Sequence, residues 1–598
     1  MSQKIKRVKE LFALGFLRIK EEGLGATLKQ TASFAKRRFG SKAGRFLPKK
    51  QVLQAQRNQI YTDAWPLISI CIPLYNTPLR YLEELLDSIF NQTYSKFEVC
   101  FADASDNAHN NVKQMIMRRN DDRIRYVSIE NKDISTNTNA AVTLATGEYL
   151  TLADHDDVLS PNAFYELAKA AAEQKADFIY SDEALFAGNI KRPIVGHFKP
   201  DYAPEYLLGC NYICHMAAFK KELFEQVGGF DPACNGSQDH DLFLRMLENT
   251  NRIYHIPKVL YYWRVHEGST SSGTAAKPYV EQAAMRAIEN HLQRTGVKGT
   301  VQKGMFPSTY KVNYAIEQEP LVSILIPTYE HIEDLDKALT SIYEKTDYKN
   351  FEVLVIENNS KTQETFDYYK KIETQHSNLR VVYYTGSFNF SAINNFGRKQ
   401  AKGEYLLLLN NDIEVINGAW LTEMVQLGIQ PGVGIVGAML YYPDDTIQHA
   451  GVIVGLGGFA GHSHKYAKRG HSGYMFRLST VQNLSAVTAA CMLVKASVYD
   501  EVEGLDEAFT VAFNDVDFCL RVRNKGYRIL FTPYAQLYHY ESKSRGLDKK
   551  GEAKERFDGE RKRLKDRYGD TLTKDPFYNP NLTLDMENFS ESAVLPQA

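Results

Sequence analysis

The 598-residue sequence is poor in sulfur chemistry: it has seven cysteines, an odd number, and none forms a CxxC pair. That pattern argues against a disulfide framework and against a structural zinc site, and the thiols read as incidental or buried groups of a reducing cytosol. No stretch approaches the roughly 18 to 20 consecutive apolar residues of a spanning helix, and no apolar run near the start precedes a small-residue cleavage site. A protein neither secreted nor membrane-spanning is expected. There is also no GxxxxGK[ST] and no strand-linked GxGxxG, which weakens an ATPase or a dehydrogenase reading. Nucleic acid is not among the expected partners.

The charge that is present is unevenly placed. Net charge is −1 overall, but residues 1–50 hold 14 Lys and Arg against Glu10, Glu21 and Glu22, a local excess of +11. Ile5, Val8, Leu11, Phe12, Phe16 and Ile19 recur near helical spacing, largely separated by Lys4, Arg7, Lys9, Arg18 and Lys20. Such a basic amphipathic helix suits an anionic membrane surface or a face of the protein's own catalytic domain, and apolar spacing alone does not separate the two. The first alternative makes the protein cytoplasmic and peripheral on the inner face of the cell membrane.

At this length one hydrophobic core does not suffice, and the 44% hydrophobic and 24% charged composition is that of a folded multidomain protein. The sequence repeats itself: WPLISICIPLYN at 65–76 recurs as EPLVSILIPTYE at 319–330. Each copy begins with an aliphatic strand, continues through a helical stretch (Tyr81 to Phe90; Leu335 to Tyr343) and returns to a second strand, FEVCFADAS at 97–105 or FEVLVIENNS at 351–360. Strand, helix, strand at this spacing is a βαβ unit, so the fold class is α/β. ATGEYLTLADHDD at 145–157 then matches AKGEYLLLLNNDI at 401–413, and GGFDPACNGSQDHDLFLR at 228–245 matches EGLDEAFTVAFNDVDFCLR at 503–521. Asp239 lies 83 positions after Asp156, but Asp515 lies 103 after Asp412, which places an insertion in the second copy near the Gly- and His-rich stretch 447–464. The expected organisation is a basic amphipathic segment over 1–60, a first domain over 61–300, a linker over 301–318, a second domain over 319–550 and a charged tail over 551–598.

Open α/β sheets bind ligands beyond the carboxyl ends of their strands, so the polar residues ending each apolar run are the candidates. Asp154, His155, Asp156 and Asp157 end one such run; clustered carboxylates repel unless a cation neutralises them, and hard oxygen ligands suit Mg2+ or Mn2+ bridging a diphosphate. The counterpart, Asn410, Asn411 and Asp412, keeps one acid in register with Asp156. Asp239 and Asp515 open apolar helices at the same position in both copies, either as helix caps or as general bases that take a proton from a sugar hydroxyl. His266 and His539, each starting an HxxS pattern, follow these acids by 27 and 24 positions and read as metal or phosphate contacts. A nucleotide cradle is expected from Pro73, Tyr75, Asn76, Asp103 and Ser105, with Asp103 able to accept the imino proton of uracil or thymine. In the second copy it falls on Pro327, Thr328, Tyr329, Glu330, Glu357 and Asn358. A sugar nucleotidyltransferase would want a Gly-rich, basic phosphate loop after the first strand, where PLYNTPLR offers only Arg80.

With these motifs in order, both halves resemble family 2 glycosyltransferases of the inverting GT-A type over roughly 65–275 and 320–548. ADHDD and NND resemble that family's DxD motif, QDHD and NDVD its base motif, and the late histidines its metal contact. NYICH, SAINNFG, IQHAG and FNDVDFCLR look like stretches of tandem bacterial enzymes that build O-antigen, rhamnan and related surface polysaccharides. The resemblance implies two tandem Rossmann-like GT-A domains with mixed central sheets. It also implies Asp239 and Asp515 as bases, and Asp154, Asp156, His266, Asp412 and His539 at Mg2+ or Mn2+. Pro73, Tyr75, Asn76, Asp103, Asp154, Pro327, Tyr329, Glu357, Asn358 and Asn410 would stand around a dTDP- or UDP-sugar. The acceptor would be a glycan or lipid-linked oligosaccharide, and the donor sugar, by the same resemblance, rhamnose. Gln238 and Asn514 stand where the family has Glu, and Asn410 replaces the first DxD acid. The alternative is therefore one catalytic domain beside a degenerate glycan-binding one.

Overall fold

Two nine- to ten-stranded sheets of the same strand order organise the computed structural model, which describes residues 44–266, 278–541 and 551–595. The first domain contributes β1 (Ile68–Leu74), β2 (Phe97–Asp103), β3 (Ile124–Ser128), β4 (Tyr149–Leu152), β5 (Val158–Leu159), β6 (Phe178–Phe186), β7 (Val195–His197), β8 (Ala217–Lys220) and β9 (Ile253–Arg264). A hairpin follows, β10 (Gly299–Lys303) and β11 (Tyr310–Tyr314). The second domain contributes β12 (Val322–Thr328), β13 (Phe351–Glu357), β14 (Leu379–Tyr383), β15 (Tyr405–Leu409), β16 (Ile413–Val415), β17 (Val433–Tyr441), β18 (Ile447–His449), β19 (Val452–Val454), β20 (Ala460–His462), β21 (Gln482–Leu484), β22 (Cys491–Lys495) and β23 (Arg528–His539).

The orders are β3-β2-β1-β4-β8-β6-β9-β5 and β14-β13-β12-β15-β22-β17-β23-β16. In both, the chain moves outward from the first strand to the second and third, then returns to place the fourth on the other side of the first. All of these pairings are parallel. That reversal is a topological switch point, where open sheets bind ligands. β1 and β12 read as uninterrupted aliphatic runs because both faces are covered, and each buries all but its proline.

The repetition extends to individual hydrogen bonds. Ser69 Oγ donates to Glu98 Oε1 at 2.7 Å and accepts from Gly147 N at 2.9 Å; Ser323 Oγ donates to Glu352 Oε1 at 2.6 Å and accepts from Gly403 N at 2.8 Å. Glycine is required at both turns, since a Cβ there would meet backbone oxygen of Leu67 or Leu321 at 2.7 Å. Tyr94 OH donates to Pro66 O and Tyr348 OH to Pro320 O, while Asp241 and Asp517 each pair with the arginine one helical turn on, Arg245 or Arg521.

Three stretches differ from the sequence expectation. Residues 301–318 are not a bare linker: they carry most of the paired strands β10 and β11, with Val301, Tyr310 and Val312 buried. The charged C-terminal region is more than a tail. Within it Gly551–Tyr568 is a helix whose Glu560 accepts from the backbone of Thr510, Val511 and Ala512, and whose Arg567 pairs with Asp506 and Asp517. Counting described residues, one compact unit comprises residues 313–541, 551–578 and 583–590, and the other comprises residues 44–266, 278–312, 579–582 and 591–595. Residues from Gly44 already belong to the first domain, with Phe46 buried and edge-on to Phe198 at 5.7 Å. The basic amphipathic stripe of 1–20 lies outside the described residues. The insertion in the second domain falls between β17 and β22, residues 442–490, which carry β18–β21 where the first domain has β7 and the short helix Pro204–Gly209. Among the described residues no helix is long and apolar enough to cross a membrane.

Candidate active site

The ends of β1 and β2 carry the residues expected around a nucleotide. Asp103 closes β2, its carboxylate accepting Tyr126 OH at 2.7 Å and Ser105 N at 2.9 Å. Ser105 Oγ in turn accepts Asn76 N at 2.9 Å. Pro73 lies within β1, and Tyr75 just past it is 50% exposed, leaving its ring available to a base. The Asn76 side chain is already engaged in a two-way bond with Asp106, so it shapes the loop. In the second domain Glu357 plays the Asp103 part, accepting Ser360 N, Ser360 Oγ and Tyr369 OH. One extra loop residue, Asn359 at φ 63°, accompanies the longer acid. Pro327 lies within β12, Tyr329 is 46% exposed, and Asn358 spends its amide on the carbonyls of Tyr384 and Gly386. Glu330 is drawn down to about 2 by the backbone N–H of Lys361 and the Thr362 and Thr365 hydroxyls.

The acidic turn after β4 faces these ends. Asp156 Oδ2 lies 2.7 Å from His266 Nε2. Asp157 is fully buried, accepting Tyr261 OH at 2.6 Å and Arg264 N at 2.7 Å. Burial, with Asp154 and Asp156 beside it, pushes its carboxyl well above the ordinary range. One oxygen each of Asp154 and Asp157 and one imidazole nitrogen of His215 lie within 4.8 Å of one another. Two carboxylates and an imidazole, with charge repulsion left to neutralise, fit a divalent cation.

One loop joins this cluster to the proposed base. Asn211 Nδ2 donates to Asp239 Oδ2 at 2.8 Å, and four residues on, His215 Nε2 stands 3.6 Å from Asp154 Oδ2. His215 stacks on Tyr261 at 4.6 Å, and its backbone is held by buried groups: Glu183 accepts its N–H at 3.0 Å and Lys199 Nζ donates to its carbonyl. Burial would raise the Glu183 carboxyl, but Lys199 and His197 outweigh it and bring it down to about 2. In the sequence His215 is a lone histidine at the mouth of a buried strand, and only the fold sets it beside Asp154 and Asp157.

The second domain keeps the plan and changes the groups. Ala489 N donates to Asp515 Oδ2 at 3.3 Å, and Ala490 O accepts Asn410 N at 3.1 Å, so the same loop again touches base and acidic turn. Burial pushes Asp515 up, against bonds from Val516 N and Ala489 N that pull it down. Pairing of Tyr149 with Lys220 and of Tyr405 with Lys495 sets His215 equivalent to Ala490, and the positions of Asp154 and Asp157 hold Asn410 and Ile413. Asp412 remains, 3.3 Å from His539 Nε2, which also lies 3.2 Å from Asn410 Nδ2. The two late histidines are not equivalent, contrary to the HxxS matching. Val158 pairs with Tyr262 and Glu414 with Tyr538, so His539 occupies the place of Trp263, while His266 lies two residues beyond β9. The inserted segment adds His449 and His462, Nδ1 to Nδ1 at 2.8 Å, both held below the ordinary histidine range by burial.

A duplicated Rossmann-like sheet with acids, a histidine and a helix-borne aspartate at its switch point defines a glycosyltransferase fold of the GT-A kind. Comparison with known proteins agrees: the profile "Glycosyl transferase family 2" matches residues 69–228 and 323–501, and the chain belongs to that family. It is 43% identical over 532 residues to an uncharacterized protein, y4gI, of Sinorhizobium fredii, covering 88% of this chain and 58% of that protein. It is 35% identical over 546 residues to the O-antigen biosynthesis protein RfbC of Myxococcus xanthus, covering 89% of this chain and 42% of that protein. The chain thus spans about half the length of these relatives. Among solved structures, S. aureus TarS 1-349 in complex with UDP matches at 21% identity with a TM-score of 0.31, covering 38% of this chain and 65% of that one.

Proposed function

We propose that the chain transfers a sugar from a dTDP- or UDP-activated donor, rhamnose among the candidate sugars, to a growing, lipid-linked bacterial cell-surface polysaccharide. The reading makes both domains catalytic and each transfer inverting. One observation carries it. In each domain a single loop, 211–215 or 489–490, contacts both the helix-borne aspartate and the acidic turn at the switch point.

Asp239 in the first domain and Asp515 in the second accept the proton of the acceptor hydroxyl as it attacks the anomeric carbon from the face opposite the leaving group. Asp103 and Tyr75 receive the nucleobase. Asp154, Asp156, Asp157, His215 and His266 would hold Mg2+ or Mn2+. Bound there, the ion neutralises charge on the departing nucleoside diphosphate. In the second domain Asp412 and His539 are the donors retained. The basic segment 1–50 keeps the enzyme at the anionic inner face of the membrane, where a lipid-linked acceptor resides.

Purified protein screened for nucleoside diphosphate release across dTDP- and UDP-sugars, with Asp239→Asn and Asp515→Asn beside the wild type, tests the assignment. Release untouched by either substitution contradicts it. Replacement of the Asp154, Asp157 and His215 positions by Asn410, Ile413 and Ala490 favours a second reading, in which the second domain binds the acceptor glycan and the first alone catalyses.

A further inference from the structure

We infer that Asn579 and Asn581, near the C-terminal end of the sequence, are positioning residues of the first domain's active site, acting through Lys199 on His215. The inference rests on the reading of Asp154, Asp157 and His215 as a cation site.

Both asparagines are buried among first-domain residues, at 3% and 0% exposure. Asn579 Nδ2 lies 3.0 and 2.9 Å from the two carboxylate oxygens of Asp182 and donates to Lys199 O at 2.8 Å. Asn581 Nδ2 donates to Pro257 O at 2.8 Å and lies 3.3 Å from Asp182 Oδ2. Asp182, wholly buried, also accepts Lys199 N at 2.8 Å and contacts His255 Nε2 at 3.0 Å. Lys199 is therefore gripped at both of its backbone polar groups, the N–H by Asp182 and the carbonyl by Asn579. Its ammonium, also wholly buried, donates to Glu183 Oε2, to Ile213 O and to His215 O. Glu183 accepts His215 N. The backbone of His215 is thus held on both sides by groups whose placement depends on Lys199.

A buried carboxylate keeps its charge only with donors around it, and Asn579 and Asn581 supply two of the side chains that Asp182 faces. Replacing both amides with isosteric leucine leaves Asp182 short of donors and frees Lys199 O. The segment bearing Lys199, just past β7, then shifts, and the imidazole of His215 moves relative to Asp154. Groups that orient a metal ligand without touching the metal typically alter affinity about 10- to 100-fold when removed.

The test titrates the full chain with Mn2+ in the presence of UDP, reading free Mn2+ by electron paramagnetic resonance. Four versions are compared: wild type, Asn579→Leu with Asn581→Leu, His215→Ala, and all three substitutions together. The expected result is that the asparagine pair and His215→Ala each weaken one class of Mn2+ sites by about tenfold. The triple variant should then be no weaker than His215→Ala alone, because all the losses pass through one residue. Multiplying losses in the triple variant would mean that the asparagines support the fold generally, and would overturn the inference. Equal affinity of wild type and asparagine pair overturns it while leaving the cation site standing. Identical titration of wild type and His215→Ala overturns the cation assignment, and the inference with it. Should the leucine pair fail to give a folded chain by circular dichroism, Asn579→Ala alone goes through the same comparison.

Discussion

His539 Nε2 stands 3.3 Å from Asp412 Oδ1, on the strand position that Trp263 fills in the first domain. His266 reaches the equivalent acid, Asp156, at 2.7 Å from beyond the end of its strand. Two copies of one fold have thus brought a histidine to the same carboxylate from different places in the chain, while the other donors diverged. That divergence makes the two sites separable by experiment.

Asp239→Asn and Asp515→Asn should each remove one transfer. Loss of a general base typically lowers the rate about 10²- to 10⁴-fold. Product analysis with the natural acceptor reads this directly: two distinct linkages should disappear one at a time. An unchanged product pattern in Asp515→Asn would leave the second domain as a binding module.

The acid limb of the pH–rate profile should differ between sites. Burial pushes the Asp515 carboxyl up, and a base works only when ionised. As pH falls, activity of the second site, measured in Asp239→Asn, should therefore decline before it reaches about 4, the ordinary aspartate value. A profile flat down to that pH contradicts the assignment of Asp515 as base.

Chelation should silence the first site. In Asp515→Asn, EDTA is expected to abolish transfer and added Mn2+ to restore it, and Asp156→Ala should raise the Mn2+ concentration needed. Transfer that persists after exhaustive dialysis against EDTA would exclude a cation role for the Asp154 to Asp157 turn.

The buried pin of β1 to β2 should govern acid stability. Burial raises Glu98, but bonds from Ser69, Thr146 and Gly147 bring it below the ordinary glutamate value. Because the folded value lies below the unfolded one, the stabilisation is present above about pH 4.3 and is lost as pH falls beneath it. Glu98→Gln should cost about 1–3 kcal/mol at neutral pH and flatten this dependence, as read from urea midpoints at pH 7 and pH 4.

Residues 1–43 should carry membrane attachment. Co-sedimentation with anionic vesicles is expected for the full chain and not for a chain beginning at Gly44, the first described residue. Salt should weaken binding without ending it, because Phe12 and Phe16 add an apolar contribution that ions do not screen. Equal sedimentation of both chains would assign the segment elsewhere.

The sequence by itself determined the duplication, the α/β class, the strand ends and the positions of Asp156, Asp239, Asp412 and Asp515. These follow from local signals: polar residues closing an aliphatic run mark the carboxyl end of a strand, and an acid just ahead of an apolar, helically spaced stretch marks the start of a helix. What lay beyond that reach was contact between distant segments. His215 joins Asp154 and Asp157 only because β8 runs antiparallel beside β4, and Asn579 reaches Asp182 across nearly 400 residues of chain. The HxxS match misaligned His266 and His539 because register is set by ladder pairing of β5 with β9 and β16 with β23, which a short motif does not encode. The tail read only as charged because its acids and bases are visible in sequence, whereas their partners, Asp506, Asp517 and the backbone of Thr510 to Ala512, are supplied only by the folded second domain.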